Sequence, residues 1–441
     1  MNTELQDIAE KIKDLALELG ADEATVTVSR STSNQLSQRD GQLEECKQSQ
    51  SQGVQVRLLV DNRYSVHSAA ESRVSALRPF LKQAIDATRF LEEDSHRRLP
   101  KLEDMGSGNP NHLDAYDHSL NEMTPDSRRQ ALNELETLGL NAAKQVPLKS
   151  LTAHVWDSQS SSCRVSSNGY SAGWSRTSSG QGASISLFEE SGRRPEAYDY
   201  YSARHSCDLP SAEAIAESLV MRGRRRIGTE AIKSECLPML LENRCVSRIL
   251  GVLISPLSGN AIYEQRSCMA DKLDTPIGAS SLQLFDDPLI PRALNSRPYD
   301  GDGFETHRRP IIENGILKTF LLGIYNARRL GQAHTTASTS NLVIPASEDS
   351  PESLLNQLPR AIRVEGFLGG NANAMTGDFS FGITGTLFEK GEAIQGISEM
   401  NVSGNIFDLC AQYLQPANDV WTYSAWRTPS LLFDNVQFSG L

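Results

Sequence analysis

Apolar positions change period several times along the chain, and the changes mark its elements. Leu5, Ile8, Ile12, Leu15 and Leu19 recur at helical spacing, with Thr3 and Gln6 placed as a reciprocal cap and Gly20 as a stop, so the pattern predicts a helix over residues 4–19. Short β-prone runs follow at 24–29, at 35–42 in a polar form, at 54–60 and, after an Asp61, Asn62, Arg63 turn, at 64–68. A second helix is expected over 71–91, with Pro79 inside it. From 92 to 124 charged, Pro, Gly, Asn and His residues replace the periodic pattern, which marks a connector. His96, His112 and His118 within it fit no metal-ligand spacing and read as exposed loop histidines. A third helix, 125–145, leads into an antiparallel meander at 150–203, where β-prone runs alternate with Ser, Gly and Asn turns. There Gly169, Tyr170, Ser171, Ala172 and Gly173 match the GxSxG nucleophile elbow. The Ser- and Gly-rich residues after it cannot supply the helix that an elbow needs, so the match reads as a polar hairpin turn.

A helix at 211–222 and the run Arg222, Arg224, Arg225, Arg226, read as a solvated linker, lead into the last third of the chain. A buried strand at 236–241 and a helix at 244–254, stopped by Pro256, open it. The densest signal lies at 299–331. Asp300, Gly301, Asp302 and Gly303 form a loop whose glycines accept positive φ and whose carboxylates can point at a ligand, a metal or a backbone amide. Two apolar runs, 310–312 and 316–322, flank Asn314-Gly315, the dipeptide that suits a tight hairpin turn, and a helix at 324–330 ends at Gly331. A Gly-Asn loop at 369–373 is expected between strands at 362–368 and 379–387, with Lys390-Gly391 turning into 393–397 and a last strand at 430–437. The pattern predicts an α+β fold: an N-terminal α+β unit at 1–95, a connector at 96–124, a central β-meander unit at 125–222 and a β-rich unit with helices at 223–441.

Composition narrows the function. The chain has 441 residues, 39% apolar and 22% charged, which is enough to bury sizeable cores. Its net charge of −12 argues against nucleic acid as a partner, because phosphate binding relies on clustered cations. No apolar run reaches the roughly 18 residues of a membrane span, and no signal-peptide pattern opens the chain, so a cytoplasmic protein without a membrane partner is expected. Seven cysteines without a CxxC pair suit free thiols rather than a disulfide framework or a zinc knuckle.

The run Asp300, Gly301, Asp302, Gly303, then Ile311 to Lys318, then Asn326, Ala327, Arg328, Leu330, Gly331 resembles the TldD/PmbA family, which includes the so-called modulators of DNA gyrase. Ser398, Glu399, Val402, Ser403, Gly404 and Asn405 resemble its C-terminal Glu-x-x-x-x-Gly-Asn signature. The resemblance implies a cytosolic dimer whose C-terminal domains enclose a chamber for unfolded peptides. In TldD-type members it implies a helix carrying His-Glu-x-x-x-His, with a later Cys completing the metal site. The corresponding window here, 248–256, holds neither His nor Glu, and Cys410 falls on an apolar segment as a buried structural thiol. The resemblance is therefore to the PmbA/TldE branch.

The function expected is a non-catalytic subunit of a TldD–TldE-type heterodimeric metallopeptidase acting on small unfolded or leader peptides. Asp300, Gly301, Asp302 and Gly303 are its expected substrate-binding residues. It would hold no catalytic residue and no metal or other cofactor, the divalent metal, zinc, residing in a TldD-type partner. The alternative is a homodimeric peptide-binding or scaffold protein. A third reading, a hydrolase built on Asp300 and Asp302, is disfavoured because that loop offers two candidate ligands and no imidazole.

Overall fold

A computed structural model describes residues 3–106 and 110–440. The chain opens with helix α1 (Thr3–Glu18), strands β1 (Glu23–Arg39), β2 (Gln42–Val60) and β3 (Arg63–Ala69), and helix α2 (Val74–Thr88). After the connector come α3 (Pro125–Ala142), β4 (Leu148–Ser166), β5 (Ser171–Leu187), β6 (Glu196–Ala203) and α4 (Ala212–Arg224). The six strands form one antiparallel sheet in the order β3-β2-β1-β4-β5-β6, so segments expected as separate units contribute three strands each to a shared ladder. The runs expected at 24–29 and 35–42 are one strand. β1 pairs with β4 from Thr25↔Ser166 to Arg39↔Thr152 without a break.

Period-2 alternation explains where the helices sit. Val26, Val28 and Leu36 of β1, with Leu151, Ala153, Cys163 and Val165 of β4, point to one face. α1 and α2 cover one end of that face over a core of Leu5, Ile12, Val56, Leu58, Leu81 and Ile85. α3 and α4 cover the other end over Leu132, Leu135, Leu151, Ile185 and Leu219. Between the two cores the strands are Ser- and Gln-rich and half-buried, crossing the gap on the backbone ladder and on cross-strand side-chain hydrogen bonds such as Ser31–Ser51 and Ser161–Ser175. Where α3 meets that stretch, Arg128 grips Asp157 with two nitrogens, and Asn34 donates to the same carboxylate.

Local signals set the ends. Thr124 and Ser127 cap α3 reciprocally, and Ser211 caps α4. α1 already includes Thr3, and Gln6 donates to Ser171 on β5 rather than closing a cap. Asp61 and Asn62 take φ of 51° and 60° in the turn between β2 and β3. The GxSxG segment is the β4–β5 turn, Ser171 beginning a strand and no helix following.

The rest of the chain runs β7 (Glu235–Leu241), α5 (Val246–Ile254), α6 (Gly259–Tyr263), β8 (Leu284–Asp287), β9 (Arg309–Glu313), β10 (Ile316–Leu317), α7 (Ile324–Leu330), β11 (Asn341–Val343) and α8 (Pro351–Asn356). It ends with β12 (Arg360–Ala372), β13 (Asp378–Glu389), β14 (Glu392–Asn405), α9 (Ile406–Ala411), β15 (Tyr413–Pro416), β16 (Trp426–Arg427) and β17 (Leu431–Ser439). One sheet, β14-β13-β12-β7-β17-β15, closes on itself where β14 also pairs with β17. A smaller sheet, β10-β9-β8-β11-β16, lies beside it over a shared core. Together with the first sheet this is an α+β architecture. The expected Gly-Asn loop at 369–373 is instead a bulge at Gly369 and Gly370 inside β12, and the turn comes after Asn373.

The arginine run is not a solvated linker. Arg222 pairs with Glu242 and Arg225 with Glu365, so the stretch seals the joint between the first sheet and the C-terminal domain. Arg244 completes the joint by pairing with fully buried Asp199, donating to Tyr201 and stacking on Trp421. Among the described residues no helix is long and apolar enough to cross a membrane. Because Ile12 is fully buried where α1 meets the sheet, Ile12→Ala should lower the unfolding free energy by about 2–5 kcal/mol, read from urea transitions at an unchanged m-value.

Candidate functional site

The 299–305 loop owes its shape to one carboxylate. Oδ1 of Asp300 accepts from the amides of Asp302 (2.9 Å) and Phe304 (3.0 Å), and the Asp300 amide returns a bond to the Phe304 carbonyl. Gly303 sits at φ 96°, a conformation that favours glycine, and a β-carbon there would meet the Met105 methyl at 2.5 Å and crowd Tyr170 at 3.3 Å. Its carbonyl accepts from Gly106 of the connector, and the Gly301 carbonyl accepts from Arg164 of β4. The loop is thus clamped between the first sheet, the connector and the C-terminal domain.

Asp302 reaches the next element. Helix α7 starts after Gly323, which has no side chain to cap it, and Asp302 Oδ2 accepts from the Ile324 amide at 2.8 Å instead. The Asn314-Gly315 turn, with φ of 53° and 73°, and Gly331 at 63° hold the hairpin and helix as the sequence predicts. Of the four expected site residues, Asp300 (4% exposed) and Gly303 are buried, whereas Gly301 is exposed and Asp302 partly so.

Sequence reading missed His334. Its Nε2 lies 2.9 Å from Asp300 Oδ2 and 3.8 Å from Asp302 Oδ2, with the ring stacked on Phe304 at 3.9 Å. Contrary to the expectation of a loop without an imidazole, one lies beside it, supplied from beyond α7. No spacing rule could have found it, because the contact is made by the fold. His307, the other C-terminal histidine, is exposed, as are His96, His112 and His118. Burial pushes the Asp300 carboxyl up, but the adjacent imidazole and the two loop amides outweigh it and hold the group below its ordinary value.

The helix expected to bear a metal in a peptidase of this resemblance is α5. Arg248, Gly251, Val252 and Ser255 face a cavity of about 440 Å³ opposite Gly370, Asn371 and Phe381. Those side chains include no carboxylate, imidazole or thiol, so they do not fit a catalytic metal ion. Cys245, just before the helix, is buried and its thiol is pushed up by desolvation. Cys410 on α9 is sealed in the core, and burial pushes its thiol up to about 12, the state of a protonated structural cysteine. Arg248 also borders a second cavity of about 450 Å³, lined by Arg226, Arg244, Glu365 and the edge strand β6 through Tyr198 and Tyr200. In the C-terminal signature Asn405 caps α9 and donates to Asp378 and to the Thr376 carbonyl, a structural role.

Comparison with known proteins agrees across the chain. Residues 234–440 match the PmbA/TldA metallopeptidase C-terminal domain and residues 24–88 match the PmbA/TldA metallopeptidase domain 1. "Metalloprotease PmbA" of Escherichia coli O157:H7 is 26% identical over 98% of this chain and 96% of its own length. A Bacteroides thetaiotaomicron VPI-5482 protein, solved as a candidate modulator of DNA gyrase, superposes with a TM-score of 0.95 at 32% identity, covering 99% of both chains. TldE from Thermococcus kodakarensis shares the fold, with a TM-score of 0.88 at 20% identity over 98% of this chain and all of that one.

The depressed Asp300 carboxyl stabilises the fold fully above the unfolded carboxylate value, about 3.9, and that contribution is lost as pH falls through the lower native value. Asp300→Asn keeps an acceptor for the loop amides and has no charge to lose. Its urea midpoint should fall less steeply than that of the native chain between about pH 5 and 3, measured by fluorescence-monitored unfolding.

Proposed function

The chain belongs to the PmbA/TldD family, and we propose that within it this protein is the peptide-holding, non-catalytic subunit of a TldD–TldE-type metallopeptidase. The observation that carries the reading is α5, which lines a cavity of about 440 Å³ without a metal ligand. Hydrolysis by such a family needs a metal that polarises the scissile carbonyl and activates water. In this reading a TldD-type partner brings both. This chain contributes walls.

The second cavity supplies a means of holding an extended peptide. β6 is the last strand of its sheet, its outer backbone edge unpaired by any other strand of that sheet, and Tyr198 and Tyr200 stand exposed along it. An extended segment added to that edge gains backbone hydrogen bonds whatever its sequence, which suits a subunit that accepts unfolded peptides. The cavity's four arginines, Arg222, Arg226, Arg244 and Arg248, outnumber its two glutamates, Glu196 and Glu365, and favour a peptide with acidic groups. In this reading the exposed members of the 299–303 loop, Gly301 and Asp302, line another part of the chamber. Homodimeric peptide binding without proteolysis is the alternative.

Co-expression with a TldD-type subunit and a fluorogenic unstructured peptide decides between them. The reading expects a stable mixed complex that cleaves the peptide, with Tyr198→Ala and Tyr200→Ala together weakening peptide affinity by roughly tenfold. A chain that stays self-associated and leaves the partner's cleavage rate unchanged supports the homodimeric alternative.

A further inference from the structure

Asp300, Asp302 and His334 converge without being used up by the loop they shape. One ligand atom from each lies within 4.8 Å of the others. The Asp300 side chain is 3% exposed, and although its Oδ2 stands 2.9 Å from His334 Nε2, neither atom has an aligned hydrogen-bond partner. A carboxylate oxygen withdrawn from water and met only by one imidazole nitrogen out of hydrogen-bond alignment is costly to bury, and a cation between the two would satisfy both. The three groups are also held in place beforehand. The loop amides fix Asp300 through its other oxygen, the Ile324 amide fixes Asp302, and Phe304 stacks on the His334 ring.

We propose that Asp300, Asp302 and His334 form a binding site for a divalent first-row transition cation, best matched by zinc. The donor set argues for that class. Two carboxylates and a neutral imidazole balance a 2+ charge, and the imidazole disfavours calcium and magnesium, which take all-oxygen cages. The approach is open, because Asp302 also lines a cavity of about 300 Å³ with Asn260, Gly323, Tyr325 and Asn326, from which water would complete the coordination. A bound ion would tie the 299–305 loop to the start of α7 and to the segment after it, joining three pieces of chain that meet at the wall of the C-terminal domain. No peptide bond is broken at this site in the proposal, which stands apart from the non-catalytic reading, so either can fail without the other.

The test is metal binding by the full-length chain after stripping with a chelator. Titration calorimetry with Zn²⁺, and the visible absorption of Co²⁺ as a second readout, should show one tight equivalent per chain. Asp300→Asn and His334→Asn should each weaken that equivalent by about 100-fold or more while far-UV circular dichroism stays native. Zn²⁺ should raise the melting temperature of the native chain but not that of the variants. His334→Asn leaves the hydrogen bonds of the loop intact, so it keeps the test valid if Asp300→Asn fails to fold. No tight equivalent in the native chain, or equal binding by native chain and His334→Asn, overturns the proposal and leaves Asp300 and His334 as a structural ion pair.

Discussion

One backbone ladder fixes where the other elements can go. β1, β2, β4 and β5 are 17 to 19 residues long, about three times an ordinary strand. Strands of that length span more than one helical layer, so α1 and α2 claim one end of the face and α3 and α4 the other. The register between β1 and β4 is the constraint on which this depends. A slip of one residue would turn Val26, Val28 and Leu36 away from their helices and Ser and Gln residues inward. The same ladder sets the position of the 299–305 loop, since Arg164 near the end of β4 donates to the Gly301 carbonyl. At the far end β6, Asp199 and Tyr201 anchor Arg244 and so the start of α5.

What the sequence showed and hid follows from the range of the forces involved. The Asn314-Gly315 turn, α7 and its Gly331 stop were legible, because turn and cap chemistry is settled by neighbouring residues. The full length of β1 and β4 was not. Their middles, around Ser31 and Ser160, carry no apolar alternation, because no helix packs an apolar core there and the ladder is held by backbone and Ser–Ser hydrogen bonds, which leave no hydrophobic period in the sequence. The arginine run misled for a related reason: its partners Glu242 and Glu365 are brought to it only by the folded C-terminal domain. In the loop, Asp300 and Asp302 were singled out by composition, but their shared neighbour His334 was visible only once α7 had turned the chain back.

Two places in the C-terminal domain differ in the chemistry they offer. α5 borders a cavity of about 440 Å³ to which it presents Ser247, Arg248, Gly251 and Val252, none of them a metal-ligating type. The 299–305 loop offers ligating groups, but its inner carboxylate is buried and already shapes the loop. The ligating groups of the loop and the lining of the cavity beside α5 are different residues. In the proposed reading the edge strand β6 and the arginine-lined cavity position a peptide, and a TldD-type partner cleaves it.

The most direct measurement is the hydrolysis rate of an unstructured peptide by the purified chain alone, at saturating Zn²⁺ and again with a chelator. The account predicts the uncatalysed rate in both conditions, whether or not zinc occupies Asp300, Asp302 and His334. Turnover by the lone chain that disappears with the chelator would contradict it.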